Sequence, residues 1–454
     1  MLIESTLTAG KSATVGIVSN RDQGPPQPPA ESWLSAPEAA ARLGVQPQTL
    51  YSYVSRGLLR SHPTPGRRAS RYSRHEVERL AARSRSGGRP ERAGGLEIVV
   101  DTTLTLLDPA GHLYYRGWDV TDAARTASYE RVAEWLWTGQ DEGEPAPWVS
   151  RPEALAAARR AGAGLAAGAT LVDRMRIGTA VAATTDPLRH DLRPQAVVAL
   201  GRSLVSTLVD SLPPAGPEPA ASEGGSGARS GARSGEEGRP GAGVAARLWP
   251  ALSPCRPTQA ELGVLNTALV LLADHELAAS TLGARVAAST WADPYLVVQA
   301  GLGVLGGPLH GGATEAVRNF LGPVAEGRVS PAQAVGEHLR NGRVPGLGHA
   351  VYEGPDPRAG ALLEALEAAR PPELAWAGVQ GVLGLLEERD LPRPNIDMAM
   401  GAMAVCLGLA PGAGEATFAV ARVAGWLAHA MEEYQHRLRF RPRAVYLGPA
   451  PRDG

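Results

Sequence analysis

From Val244 to Leu438 the chain is a succession of Ala- and Leu-rich segments of helical character. The Gly/Pro-rich loops that break them, at 303–312, 342–349 and 391–396, each hold or adjoin a histidine or an aspartate. Apolar helices of this kind are stable only when packed on one another, so the segment demands a helical core. Glycines in the breaks let the backbone come close to a ligand. Four polar islands stand out: ADHELAAST (273–281), GGPLHGGATEAV (306–317), VPGLGHAVYEGPDPR (344–358) and PNIDMAMG (394–401). A fifth feature is an arginine inside the apolar run FAVARVAGWLAHAM (418–431).

The rest of the 454 residues, a length that suits two to four domains, is organised around this segment. Residues 96–212 alternate strand-like pieces with Ala/Leu-rich helical stretches. Residues 213–243 contain no Val, Ile, Leu, Met or aromatic residue and repeat GARS twice, so burial cannot offset their ordering entropy. They read as a disordered insertion, as does the 1–32 stretch ending QGPPQPPAES; RSRSGGRPERAGG (83–95) reads as a linker. Two cysteines, Cys255 and Cys406, exclude a disulfide scaffold and suit a reducing compartment. The apolar-leaning run 294–309 is too short and too rich in Gly to span a bilayer, and the N-terminus lacks a signal-peptide pattern. A cytoplasmic protein without a membrane partner is expected.

Charge is unevenly distributed. Between Trp33 and Gly94 there are 12 Arg and 4 Glu, a net of +8 in a chain whose total is −1. With a single lysine, Lys11, the chain overuses arginine, so one arginine by itself says little. The pattern in 33–82 says more. Ser35 suits the cap of a first helix with Pro37 in its first turn, and Gly44 suits its stop. Pro47 and Thr49 open a second helix ended by Gly57. Leu58-Leu59 then leads into a wing with Arg67, Arg68 and Arg71, followed by a third helix, RHEVERLAARS. Two short helices about a Gly turn suit a major-groove reader. Gln48, Thr49, Tyr51, Ser52 and Arg56 would face bases, and the wing arginines would face phosphates. A small packing module with a solvated Arg face is the plainer reading. The stretch LSAPEAAARLGVQPQTLYSYVSRGLL with the later RYSRHEVERL resembles the winged helix-turn-helix of the MerR and excisionase kind.

Each island has its own chemistry. His310 lies between two glycine pairs before a helix expected at 313–321, and a helix N-terminus disfavours imidazolium, so a neutral donor is expected. His349 follows a Gly-rich turn, Gly346 and Gly348, and free N–H groups of this loop suit an anion or adenine cradle. Asp397 is either a helix cap or a partly desolvated base with a raised pKa. Arg422 has no acid three or four residues away, which suggests a bound carboxylate as its partner. Arg358 could add a second clamp or simply close a turn with Asp356. A structural role is open to each residue alone.

Together, from about residue 95 to 449, these features resemble citrate synthase. The resemblance runs from GLEIVVDTTLTLLDPAGHLYYRGWDV through the four islands to ARVAGWLAHAMEEY and RPRAVYLGP. It implies a mainly α, two-domain, all-helical fold over 96–454, with a small subdomain at about 309–415. It also implies an acyltransferase that condenses acetyl-CoA, or propionyl-CoA in 2-methylcitrate synthases, with oxaloacetate. By resemblance Asp397 is the base, His310 donates to the thioester oxygen and His349 polarises the oxaloacetate carbonyl. His275, Arg358 and Arg422 hold carboxylates, with Arg441 contributed across a homodimer. Val344, Pro345, Gly346, Leu347 and Gly348 cover the CoA adenine. No metal or permanently bound cofactor is implied. Two departures stand out: Glu353 where relatives commonly carry a basic residue facing CoA phosphates, and the fused N-terminal module. A DNA-binding regulator whose body senses oxaloacetate or acyl-CoA is therefore a competing expectation.

Overall fold

The computed structural model describes residues 33–55, 58–63, 70–74, 76–77, 80–81, 98–108, 111–216, 242–349, 351–352, 354–438 and 440. The expectations for 1–32, the 83–95 linker, most of the 213–243 insertion, Arg56, Gly57, Arg67, Arg68, Glu353, Arg441 and the tail lie outside these residues. The chain divides into two compact units, with the boundary in sequence between Asp101 and Thr102.

In the first unit Ser35 caps the helix Ala36–Leu43 and Glu38 reaches back to it, a capping box that satisfies donors at both residues. Gly44 ends the helix at φ 64, a conformation that costs other residues steric energy. The second helix is Pro47–Ser55. The wing is a hairpin of Ser61–Pro63 with Ser70–Ser73, and Trp33–Ser35 joins its other edge to make a three-stranded antiparallel sheet. That first strand was not anticipated, because three residues ending on a strong cap carry no period of their own. The small core gathers Ala39, Ala40, Leu43, Leu50, Leu59, Tyr72, Val77, Leu80 and Ala81.

The second unit is mainly helical, as expected. It begins with a three-stranded meander, Thr105–Asp108, His112–Tyr115 and Trp118–Asp119. Helices from Val120 to Glu433 follow. Two lie at the centre. The helix Gln259–Leu272 is buried along most of its length, and Ala413–Glu433 is buried along nearly all of it. The two press together at the end of the first: the Gly425 N–H donates to the Ala273 carbonyl, and a Cβ at Gly425 would meet that oxygen at 2.6 Å. The helix after His310 runs Ala313–Ala325, past the expected end and through Pro323. It packs on Ile396–Cys406. Among the described residues, no helix is long and apolar enough to cross a membrane.

Candidate active site

Breaks in the helices bring the islands together. Helix Gln259–Leu272 ends at Ala273, which places Asp274 and His275 beside the long helix. The loops 344–348 and 391–396 are stitched to each other. The Gly348 N–H donates to the Arg393 carbonyl at 2.8 Å, and the Asn395 N–H to the Gly346 carbonyl at 3.0 Å. Gly346 is required there, because it sits at φ +76 and a Cβ would lie 3.0 Å from the Met398 Cα. Asn395 caps the helix Ile396–Cys406 through the Asp397 N–H and sends its own amide to the Gly348 carbonyl at 2.8 Å. The capping role left open for Asp397 thus falls to Asn395, and the Asp397 carboxyl stays free of it. Burial pushes that carboxyl up to about 6; Arg358 opposes the rise and Asp356 adds to it.

The histidines are neutral for one common reason. Burial, with help from Arg422, brings His310 down to about 4. Burial and Arg358 do the same to His349. His275, more enclosed, falls well below the ordinary value under burial, Arg358 and Arg422. His310 Nε2 lies 2.8 Å from Ser280 Oγ, and its ring stands edge-on to Phe418 at 5.4 Å. His349 Nδ1 accepts from the Val351 N–H at 3.0 Å and the Tyr352 N–H at 3.4 Å. The ring hydrogen of neutral His349 is therefore on Nε2. That nitrogen lies 3.4 Å from Arg358 Nη2. Two donors side by side form no bond with each other; they suit one shared acceptor, a carbonyl or carboxylate oxygen.

Arg358 is 2 % exposed and is clamped by Asp356, Nε to Oδ1 at 3.0 Å and Nη2 to Oδ2 at 2.8 Å. The turn-closing pair weighed for it is thus present. Its charge still reaches Asp397, His349, His275 and Arg422. Asp356 Oδ2 also accepts from the Ile396 N–H, tying the pair to the helix that carries Asp397. Arg422, 1 % exposed, gives its Nε to the Leu272 carbonyl at 2.7 Å and lies over the Phe418 ring at 4.8 Å. Its Nη1 is buried with no hydrogen-bond partner. Burial lowers its pKa to about 10, with Asp274 pulling the other way. Asp274 is thus a nearby opposite charge that local helix spacing did not reveal. His275, His349, Arg358 and Asp397 are brought together, and His310 and Arg422 act on the same His275. A cavity of about 380 Å³ opens beside Gly348, His349, Tyr352, Asp356 and residues 390–394.

Several residues of this site escaped sequence reasoning. Tyr352 Oη lies 3.0 Å from His275 Nε2. Asp274 Oδ2 takes bonds from Thr105 Oγ1 at 2.5 Å, the Glu276 N–H at 3.1 Å and His429 Nε2 at 3.2 Å. His429 Nδ1 accepts in turn from the buried Arg285, which pairs with Glu432 and Glu433. Tyr352, Asp274 and Ser280 all stand inside the quoted islands, so proximity to the histidines was the available signal. For Arg285 there was none.

With this geometry in place, comparisons with known proteins are consistent in one direction. Residues 95–443 match the family described as citrate synthase, C-terminal domain, and residues 33–85 match a helix-turn-helix domain. A citrate synthase of Haloferax volcanii is 32% identical over 79% of this chain and 96% of its own length. A 2-methylcitrate synthase of Mycobacterium tuberculosis is 27% identical over 79% of this chain and 91% of its own length. Among solved structures, the ternary complex of carboxymethyl coenzyme A and oxaloacetate with the Thermoplasma acidophilum citrate synthase superposes with TM-score 0.58. It is 26% identical and covers 79% of this chain and 96% of that one. The chain belongs to the citrate synthase family, with a helix-turn-helix module ahead of the family domain. Relatives named for citrate and for 2-methylcitrate formation are both similar to it.

Proposed function

We propose that the second unit condenses the acetyl group of acetyl-CoA with oxaloacetate and hydrolyses the resulting thioester to citrate and CoA, in the cytoplasm and without a permanently bound cofactor. The observation that carries this reading is the part-buried Asp397, raised to about 6 and therefore a base strong enough to matter yet ionised at neutral pH. It removes a methyl proton from the thioester. With Ser280 donating to Nε2, His310 presents Nδ1–H to the thioester oxygen and stabilises the enolate as it forms. The carbon nucleophile attacks the keto carbon of oxaloacetate, whose oxygen takes the hydrogen bond of His349 Nε2. Water then cleaves the thioester, releasing the free thiol of CoA. Arg422 Nη1, Arg358 and His275 hold the carboxylates, and Arg441 of a second copy completes the set in a homodimer. Residues 344–348 lie along CoA beside the cavity, and the 309–415 subdomain closes over both substrates to exclude water.

The test is thiol release with acetyl-CoA and propionyl-CoA side by side, each with oxaloacetate. Release that Asp397→Ala abolishes supports the reading, and silence across several acyl-CoAs refutes it. Faster turnover of propionyl-CoA would make the chain a 2-methylcitrate synthase, a choice set by a pocket difference of about 1–3 kcal/mol.

A second reading attaches to the first unit, supported by the helix-turn-helix match and by exposed Gln48, Tyr51 and Arg71. In it residues 33–82 bind duplex DNA, Gln48, Thr49, Tyr51, Ser52 and Arg56 at bases, and Arg67, Arg68 and Arg71 at phosphates. A salt-sensitive shift of a specific duplex supports it; no binding at low salt removes it.

A further inference from the structure

The geometry points to Tyr352 as a positioning residue that decides which ring nitrogen of His275 carries the hydrogen offered to the substrate. The inference rests on the condensation reading above. A phenol O–H is a stronger acid than a neutral imidazole N–H, and an imidazole nitrogen accepts better than a phenol oxygen. Across the 3.0 Å between Tyr352 Oη and His275 Nε2 the hydroxyl therefore donates. Burial of Tyr352, 6% exposed, pushes its phenol up to about 12 and keeps the proton in place. His275 is neutral and owns one ring hydrogen, so the bond from Tyr352 confines that hydrogen to Nδ1.

A neutral imidazole can hold a carboxylate only through its single N–H. If Nε2–H were spent on Tyr352, His275 would meet the anion with a lone pair. Through its backbone the same residue acts on a second ring: the Tyr352 N–H, with that of Val351, donates to His349 Nδ1 and leaves the hydrogen on Nε2. The two imidazoles, with ring centres 5.1 Å apart, thus stand in opposite tautomers, His275 through the Tyr352 hydroxyl and His349 through the Val351 and Tyr352 N–H groups. One N–H serves a carboxylate and the other serves the keto oxygen of the same diacid.

The test is a long-range ¹H–¹⁵N correlation on the full chain labelled at histidine, with His275 assigned by the resonance lost in His275→Asn. The expected wild-type spectrum has a protonated Nδ1 and a bare Nε2. Tyr352→Phe should mix the tautomers and raise the KM for oxaloacetate about tenfold through the unpaired Nε2, with kcat changed less. A merely structural role would lower the melting temperature and leave the tautomer as it was. A hydrogen on Nε2 in the wild type overturns the proposal even if the variant fails to fold; so does a folded variant with unchanged KM. If the chain condenses nothing, the function reading falls instead. The spectrum, with the Kd for oxaloacetate by calorimetry in place of KM, then still decides the role of Tyr352.

Discussion

The two units handle charge in opposite ways. In the first, the hydrophobic core is a handful of apolar and aromatic side chains, and among the described residues no charged side chain is buried: Arg60, 78% exposed in its side chain, pairs with the half-buried Glu76 at 2.5 Å. In the second, Arg285, Arg358, Arg422, Asp274, Asp356 and Glu433 are all buried. An exposed ion pair is worth little, and in an arginine-rich chain it carries little information. A buried charge is expensive unless a partner or a ligand compensates it. Arg358 has Asp356, Arg285 has Glu433, and Arg422 keeps an Nη1 with no protein partner. Function is written in the second unit by what burial leaves unpaired, and in the first only by what the exposed surface could meet.

That contrast breaks first at Asp397. Asp397→Asn should lower the rate of thiol release by about 10²–10⁴-fold. The fold should persist, because Asn395 supplies the cap of that helix. A variant that keeps near-normal turnover would mean the buried carboxyl is structural after all. Arg422→Gln should raise the KM for oxaloacetate about a hundredfold, the loss of charged hydrogen bonds worth about 2–3 kcal/mol. An unchanged KM would show that its unpaired Nη1 awaits nothing.

The pH profile of kcat/KM sharpens the same comparison. A general base works only when ionised, and the Asp397 carboxyl sits at about 6. Activity should therefore fall as pH drops through about 6, by about tenfold per unit below it. His310 and His349, held at about 4, stay neutral over that range and add no second limb near pH 6 to 7. A midpoint near the ordinary carboxylate value of 3.8 would show that burial does not tune this group.

Much of this was legible in the sequence, and the reason is local. Gly44, Ser35 and Pro47 mark helix ends through chemistry confined to a few neighbouring residues, and the structure places the ends there. His310, His349, Asp397 and Arg422 stood out as polar residues in apolar, Gly-broken sequence, and it was the set in order, not any one of them, that pointed to a site. What was not legible depends on distant pairing. The strand Trp33–Ser35 exists because Arg71–Ser73 is beside it. Asp274 balances Arg422 across 148 residues of sequence, and His429 reaches Asp274 from a helix whose apolar spacing explains it as core. Asn395 took the cap that Asp397 also qualified for, a choice of two residues that composition cannot make.

The smallest expected effect tests whether the two units are independent. In Ser35→Ala the Glu38 N–H loses its acceptor and Glu38 loses the hydroxyl it pairs with. Loss of such a cap costs about 1 kcal/mol. In a unit with so small a core that is a visible fraction of the whole, so the melting transition of residues 33–82 should move down by several degrees. Thiol release should stay at the wild-type rate, because the carboxylate and imidazoles proposed for it belong to the second unit. Differential scanning calorimetry and the thiol assay on the same sample read both quantities. If a cap removed at Ser35 slows condensation, the units do not act separately, and their different treatment of charge belongs to one coupled device.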